Sequence, residues 1–148
     1  MTMISRVSAS EVYPIRQQVL RPDQPPEAAV YPGDELESTY HMGLFEEGSL
    51  IGIVSLYPEG PEGYEMDDAW RVRGMAVLPE HHGHGFGSKL LQACMAYASA
   101  HGGRALWCNA RVKARPFYEL QGLSIEGDAF DIPGIGPHYR MICPLCPL

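Results

Sequence analysis

Residues 77–91 read VLPEHHGHGFGSKLL and place three glycines, Gly83, Gly85 and Gly87, directly before apolar residues at helical spacing. The preceding residues 69–79, AWRVRGMAVLP, are typical of a β-strand, so the segment predicts a strand, a glycine turn and a helix. Such a turn leaves backbone N–H groups at the helix N-terminus without intrahelical partners, and glycines let an anion approach them closely. The segment therefore predicts either a site for an anion such as phosphate or a tight turn with no ligand.

The order of the glycines narrows the choice of anion. GHGFGSK does not match the G-x-x-x-x-G-K-[ST] pattern of nucleoside triphosphate loops. Its G-x-G-x-G also misses the third glycine of the dinucleotide fingerprint G-x-G-x-x-G by one position. Nucleoside triphosphates and nicotinamide cofactors are therefore disfavoured.

The segments before the glycine turn predict a helix and a hairpin. Residues 11–20 have the apolar spacing of a short helix with Ser10 as its N-cap. The proline-rich residues 21–38 predict a loop, or a loop with one short helix. Strands are expected at about 40–46 and 50–57 around the turn EEGS. The strand at 69–79 should contain a bulge or a close backbone approach at Gly74.

The segments after the glycine turn alternate between helix and strand. We expect a helix at 87–101, a strand at 104–111 and a short helix within 112–122 that Gly122 stops. Two strands joined by a Gly/Pro loop follow, and residues 142–148 read as a tail. A hairpin followed by β-α-β-α-β-β predicts a mixed α/β fold in a single domain over residues 1–148.

Composition excludes several classes of protein. The net charge of −7 comes without a block of basic residues, so nucleic-acid binding is not expected. No apolar run approaches the roughly 20 residues that span a bilayer, and the N-terminus lacks a signal-peptide core. A cytoplasmic protein without a membrane partner is expected. The four cysteines are expected to be reduced, with Cys143 and Cys146 in an idle tail rather than a zinc or redox site, and no metal is predicted.

The glycine turn and the later segment at 109–123, NARVKARPFYELQGL, together resemble the GCN5-related N-acetyltransferase (GNAT) superfamily. The family signature is a strand, a loop of pattern Q/R-x-x-G-x-G/A, a helix, and later an Asn, an Ala and a Phe-Tyr pair before a glycine. Here the loop runs from His82 to Gly87, and the resemblance covers residues 50–141. The matching later residues are Asn109, Ala114, Phe117, Tyr118 and Gly122.

The resemblance implies a GNAT fold of about six to seven strands with flanking helices and splayed central parallel strands. It also implies acetyl-coenzyme A as cosubstrate, with its pyrophosphate on the loop and its pantetheine arm between the two parallel strands. His82 stands where Gln or Arg is usual, which implies a weaker pyrophosphate grip or one that depends on protonation of His82. The implied cofactor-binding residues are Met75, Ala76, Val77, His82, Gly83, His84, Gly85, Phe86, Gly87, Ser88, Asn109, Phe117 and Tyr118.

The same resemblance implies roles in thioester aminolysis. The backbone N–H of Val77 matches the donor that stabilises the oxyanion, and Tyr118 matches the acid that protonates the leaving thiolate. The alternative for Tyr118 is a core tyrosine with a satisfied hydroxyl, and for Asn109 a turn residue.

The general base is the least defined role. Arg71 and Arg73 occupy strand positions where the family often has an acid or a histidine, and arginine cannot accept a proton. They should pair with acids such as Asp67, Asp68 or Glu65, or else bind a carboxylate or phosphate of the acceptor. His138 is the predicted base or the residue that positions a water, and His41 is its competitor.

The predicted function is acetyl transfer to a primary amine of a small acceptor, recognised by loops near residues 21–41 and 129–138. Three alternatives remain open: a non-catalytic acyl-coenzyme A-binding module, an acyltransferase acting on a protein amine, and a phosphate-binding α/β enzyme outside the family. Dimerisation is common in the family, so the resemblance also implies a homodimer. The sequence identifies neither the acceptor nor the acyl chain.

Overall fold

The computed structural model describes residues 1–62 and 68–146. Its strands form a mixed seven-stranded sheet in the order β1-β2-β3-β4-β5-β7-β6, which confirms the mixed α/β fold. Short 3₁₀ turns lie at Pro26–Ala29, Pro79–His81 and Val112–Ala114. The elements are β1 (Thr2–Val7), α1 (Ala9–Leu20), β2 (Tyr40–Glu46), β3 (Ser49–Tyr57), β4 (Ala69–Val77), α2 (Phe86–Ala100), β5 (Ala105–Arg111), α3 (Arg115–Leu120), β6 (Ser124–Ile132) and β7 (Gly136–Pro144).

The chain comprises two compact units. The first unit contains residues 1–57 and 72–94, and the second contains residues 58–71 and 95–148. Both β4 and α2 contribute residues to each unit. The single domain over residues 1–148 stays a prediction.

Strand β1 in the first unit was not expected from the sequence. It pairs antiparallel with β2 along its whole length, from Thr2 opposite Glu46 to Val7 opposite His41. Only Val7 of this strand is buried, whereas Met3 is 60% exposed. Its sequence, Thr-Met-Ile-Ser-Arg-Val, does not alternate between apolar and polar residues, which is why the pattern failed to reveal it.

Helix α1 begins two residues earlier than predicted. Its N-cap is Ser8, not Ser10: the Ser8 hydroxyl accepts from the Glu11 N–H, and the Glu11 carboxylate accepts from the Ser8 N–H. This reciprocal capping box satisfies two backbone donors at once. The core of this unit contains Val7, Val12, Ile15, Ile53 and Ala76.

The predicted hairpin is present between β2 and β3. Its turn residues Glu47 and Gly48 have φ values of 49° and 82°, as a two-residue type I′ turn requires. Gly74 in β4 has a φ of 65°, and a Cβ there would lie 2.9 Å from the Arg16 Nε. Both the special backbone and the close approach expected at Gly74 are therefore found.

The second unit is built on β5. Parallel pairing with β4 covers Ala69–Arg71 against Ala105–Trp107. On its other side β5 pairs antiparallel with β7, which in turn pairs with β6.

The predicted tail at 142–148 starts too early. Strand β7 continues to Pro144, and Cys143 is buried opposite Leu106. Cys94, Cys108 and Cys143 are free thiols, and burial raises the pKa of each. They are therefore poor nucleophiles.

Candidate active site

The glycine turn in the first unit connects β4 to α2. Gly83 and Gly85 have φ values of 84° and 75°, which side-chain-bearing residues rarely adopt. A Cβ built on either would meet no described atom within 4 Å, so the space beside the turn is open. Helix α2 starts at Phe86, and the first turn of a helix presents N–H groups to an anion.

The side chain of His82 fixes the start of this turn. Its Nε2 lies 2.7 Å from the carbonyl oxygen of Val77, so Nε2 carries a proton and donates it. The next N–H, on Leu78, donates to the carbonyl of Ile51 at 2.9 Å. Both sides of the peptide after Val77 are therefore held, and His82 acts here as a backbone tie rather than as a side chain directed at an anion.

The other predicted residues of the first unit lie on β4 and around the turn. Ala76 is buried and Met75 is half-buried, while the ring of Phe86 is buried 5.7 Å from the exposed ring of His84. Neighbouring His81 pairs with Glu46 at 3.1 Å.

A buried polar cluster in the first unit was not predicted. The Arg16 guanidinium donates to both carboxylate oxygens of Asp34, at 2.7 and 3.3 Å, and to the Ser55 hydroxyl at 2.9 Å. Burial alone would raise the pKa of Asp34, but hydrogen bonds from Arg16, Tyr57 and the Tyr31 N–H bring it below its usual range. The sequence feature that could have revealed the cluster is Arg16, which lies with Val12 and Ile15 on the buried face of α1.

His41 belongs to this cluster, which engages both of its ring nitrogens. Its Nδ1 lies 2.6 Å from the Ser55 hydroxyl, and its Nε2 lies 2.9 Å from the carbonyl of Asp34. Nε2 must donate to that carbonyl, so Nδ1 accepts from Ser55 and the ring has no free lone pair. Since both His41 and Ser55 are buried, this arrangement of Ser, His and Asp is structural.

In the second unit, α3 positions Tyr118. The helix ends in a Schellman motif in which Leu123 N–H donates to the Tyr118 carbonyl and Gly122 N–H to the Glu119 carbonyl. Gly122 has the φ of 100° that this cap requires. Tyr118 is half-buried, with its ring 5.1 Å from that of Phe117.

His138 lies on β7 of the second unit and is buried. It is paired with Arg111 of β5, two positions along the strand from the pair of Asn109 with Arg140. Residues two positions apart in a strand point to the same side, so His138 and Asn109 share a face of the sheet. The His138 Nδ1 lies 2.7 Å from the carbonyl of Gly136 and so carries a proton. In the neutral ring the lone pair is then on Nε2.

Arg71 pairs with an acid, as expected, but that acid is not Asp68. Arg71 pairs with Glu59 at 3.0 Å, while Asp68 pairs with Arg104 at 3.3 Å. In the first unit the guanidinium of Arg73 lies 4.2 Å from the centre of the Tyr31 ring. Glu65 and Asp67 lie outside the described residues.

Two kinds of site are absent from the described part of the chain. No helix there combines the length and apolar character needed to cross a bilayer. The described side chains also include no group of three or more His, Cys, Asp or Glu placed to hold a metal ion.

Comparison with known proteins gives the family. Residues 9–123 match the model of the Acetyltransferase (GNAT) family. The chain is 36% identical over 141 residues to the uncharacterized N-acetyltransferase YitI of Bacillus subtilis (strain 168), covering 95% of each.

Solved structures with the same fold include two acetyltransferases. The ribosomal-protein-S18-alanine N-acetyltransferase from Escherichia coli matches with a TM-score of 0.79 and 18% identity, over 100% of this chain and 96% of that one. An aminoglycoside 6′-N-acetyltransferase complexed with coenzyme A matches with a TM-score of 0.78 and 13% identity, over 99% and 98%. The chain belongs to the GNAT family of acetyltransferases, which use acetyl-coenzyme A.

Proposed function

We propose that this protein transfers the acetyl group of acetyl-coenzyme A to the primary amine of a small acceptor, by direct attack of the amine on the thioester. The observation that carries the proposal is the open glycine turn at the start of α2. Gly83 and Gly85 adopt positive φ where a Cβ would touch no described atom, so packing does not explain them. Room beside backbone N–H groups is what a pyrophosphate needs.

Different segments of the chain would bind the pyrophosphate and the pantetheine arm of acetyl-coenzyme A. The backbone of Gly83 to Ser88 would bind the pyrophosphate. On β5, the strand beyond Trp107 would bind the amide groups of pantetheine through its backbone. Bound there, acetyl-coenzyme A supplies an activated acetyl group with a thiolate leaving group.

Val77 would stabilise the charge that develops on the thioester oxygen. Its backbone N–H is the proposed donor, and a donor helps most when it is fixed before the reaction. The His82 side chain holds the Val77 carbonyl, and the Leu78 N–H is held by Ile51. These two contacts hold the carbonyl side of Val77, whereas its N–H belongs to the preceding peptide within β4.

Tyr118 and His138 would handle the protons. The hydroxyl of Tyr118 donates its proton to the departing sulfur, so the thiol leaves neutral. The His138 Nε2 takes the proton that the attacking amine loses, directly or through a water, because its Nδ1 is held by Gly136.

Replacement of Tyr118 tests this function. Tyr118→Phe removes only the hydroxyl, so we expect the affinity for acetyl-coenzyme A to stay the same while kcat falls by roughly 10² to 10⁴. Release of free thiol in the presence of an amine panel measures kcat, and calorimetry measures affinity.

A matched control is Tyr97→Phe in α2, where the same hydroxyl is removed from another half-buried helical tyrosine and kcat should be unchanged. Equal losses of affinity and kcat in Tyr118→Phe would make Tyr118 a structural residue and would leave the proposed acid unassigned.

A further inference from the structure

One face of the sheet in the second unit gathers charged and polar side chains around Trp107. Arg71 is the partner of Trp107 in the β4–β5 ladder, and Asn109 follows two positions later on the same face of β5. Asn109 is paired with Arg140 of β7, which is paired with Glu126 of β6. The register therefore aligns these side chains across four adjacent strands.

The two guanidinium groups of this face are held in place. Arg71 lies 4.8 Å and Arg140 5.8 Å from the centre of the Trp107 ring. Trp107 is itself fixed, because its Nε1 donates to the carbonyl of Glu59 at 2.8 Å. The Glu59 carboxylate, about half exposed, accepts from Nη1 of Arg71. A carboxylate therefore already binds one edge of Arg71, on the solvent side.

Buried atoms of Arg71, Asn109 and Glu126 on this face lack a hydrogen-bond partner among the described residues. They are one donor, Arg71 Nε, and two acceptors, Asn109 Oδ1 and Glu126 Oε1. Glu126 Oε1 is 3.9 Å from Arg140 Nη1, too far for a hydrogen bond. Buried polar atoms are normally paired, and leaving them unpaired destabilises a fold. A ligand that supplies the missing partners would explain their presence.

We propose that this face binds an acceptor that carries a carboxylate as well as its amine, that is, a small amino acid or a compound with the same two groups. The inference rests on the proposed function, since it names the acceptor class of that reaction. The Nε edge of Arg71 offers a carboxylate the paired donors that guanidinium groups favour. Asn109 Oδ1 and Glu126 Oε1 accept hydrogen bonds from an amine.

Other acceptor classes fit this face less well. A phosphate would meet the carboxylates of Glu59 and Glu126, whose charges oppose those of Arg71 and Arg140. A plain alkylamine would leave Arg71 Nε without a partner. An uncharged amide presents only one weak acceptor to the guanidinium. This face carries two guanidinium groups and two carboxylates. A zwitterion can place its carboxylate at the guanidinium groups and its amine at the carboxylates.

The test compares acceptors of matched length. β-Alanine, β-alaninamide and propylamine are assayed by thiol release, with kcat/KM expressed per concentration of unprotonated amine, and the series is repeated with glycine and γ-aminobutyrate and their analogues. In at least one series we expect kcat/KM for the acid to exceed kcat/KM for its amide and for its alkylamine by about 10- to 100-fold. This is the effect of one charged hydrogen-bond pair. An amide or alkylamine that equals the acid in every series would overturn the proposal.

Variants of Arg71 assign the effect to this face. Arg71→Gln should lower kcat/KM for the acid by the same factor and leave the amide and the affinity for acetyl-coenzyme A unchanged, while Arg71→Lys should recover part of the loss. Arg104→Gln, which removes an exposed arginine of the same unit, is the matched control and should change nothing. Equal losses for all three acceptors in Arg71→Gln would also overturn the proposal.

A binding measurement keeps this inference separate from the proposed function. The melting temperature of the protein, with and without coenzyme A, is measured with N-acetyl-β-alanine and with its carboxamide, and with the corresponding pairs of the other two series. A rise with at least one acid that its amide does not produce, absent in Arg71→Gln, would support the acceptor class even if no amine is turned over. No rise with any acid would overturn it, whereas loss of acetyl-coenzyme A binding and of all turnover would count against the proposed function.

Discussion

Two groups of polar side chains lie within this protein, and they differ in how completely their hydrogen bonds are satisfied. In the first unit, Arg16 makes hydrogen bonds to Asp34, Ser55, Tyr57 and the carbonyl of Ala29, and only its Nε lacks a partner among the described residues. That nitrogen packs against Gly74, where no ligand could reach it without displacing the strand.

In the second unit, donor and acceptor atoms of Arg71, Asn109 and Glu126 have no described partner. All three side chains lie on strands, so the rigid backbone cannot turn them toward one another. A buried polar cluster whose hydrogen bonds are satisfied stabilises the fold. A cluster on a rigid sheet whose hydrogen bonds are not satisfied points to a ligand.

The largest effect should come from breaking the satisfied cluster. Asp34→Asn removes the charge that compensates Arg16, whose side chain is fully buried. Removing one partner of a buried ion pair typically lowers the free energy of unfolding by about 3–5 kcal/mol. Chemical denaturation measures the change. A loss below about 1 kcal/mol would show that the cluster does not stabilise the fold, and would remove half of the comparison.

The same variant should alter the response to acid. The pKa of Asp34 is lowered in the folded protein, so its contribution to stability is present above the unfolded pKa of about 3.9 and is lost as the pH falls through the folded value. The wild type should therefore lose stability below about pH 4 more steeply than Asp34→Asn. Parallel curves of unfolding free energy against pH for the two proteins would contradict this assignment.

Sequence patterns predicted most of the architecture because its elements are specified locally. The hairpin depends on Glu47 and Gly48, and the end of α3 depends on Gly122. At both places a glycine indicates the positive φ that the backbone adopts. Strand β1 and the Arg16 cluster were missed for the opposite reason. Their partners are distant in sequence, and an isolated Arg16 on a helix does not reveal Asp34 or Ser55.

The second largest effect concerns the glycine turn, where backbone donors face open space. Gly85→Asp places a carboxylate beside the proposed pyrophosphate site. Repulsion between charges a few ångströms apart near a protein surface is worth about 1–4 kcal/mol, so affinity for acetyl-coenzyme A should fall by about tenfold or more. Calorimetry measures the dissociation constant.

Gly48→Asp controls for backbone strain and charge. Gly48 has a φ of 82° and no described neighbour within 4 Å of a built Cβ, so the same substitution there should strain the chain equally. Its affinity for acetyl-coenzyme A should equal that of the wild type. If both variants lose affinity alike, strain rather than the ligand explains the result.

The candidate site was predictable in part. The spacing of Gly83, Gly85 and Gly87 indicated the turn, and the resemblance supplied Tyr118 and Asn109. Glu59, the acid that pairs with Arg71, was not named from the sequence because it lies 12 positions away. The shared face of Arg71, Trp107, Asn109, Arg140 and Glu126 requires the strand order β4-β5-β7-β6. No local pattern contains that order.

His82 sharpens the comparison because it lies in the candidate site and yet is hydrogen-bonded to the backbone. Nε2 donates to Val77 in both the neutral and the charged ring, so the bond should persist whichever form is present. His82→Ala should weaken acetyl-coenzyme A binding by about fivefold, the effect of one hydrogen bond. His82→Gln, which keeps a donor, should lose less. A loss in His82→Ala that appears only at acid pH would show that the charge of His82, rather than its bond to Val77, grips the ligand.

The smallest change in stability should follow from removing an unpaired atom of the second unit, and it tests the comparison most directly. Asn109→Val deletes the buried Oδ1 that has no described partner and puts a β-branched residue in a strand. We expect the free energy of unfolding to stay the same or to rise by about 0.5–1 kcal/mol, while kcat/KM for the acceptor falls, as when a functional site is built at the expense of stability. Denaturation and steady-state kinetics on the same preparation measure both.

Ser55→Ala is the matched experiment in the first unit, because it also deletes one buried side-chain oxygen. That oxygen accepts from Arg16 and donates to His41, so its removal leaves both without a partner and should lower the free energy of unfolding by about 1–3 kcal/mol. The two variants should therefore move stability in opposite directions or by clearly different amounts. If Asn109→Val is destabilised as much as Ser55→Ala, Asn109 supports the fold through contacts of its own. Its oxygen would then be no sign of a ligand, and the acceptor site would have to be argued from Arg71 alone.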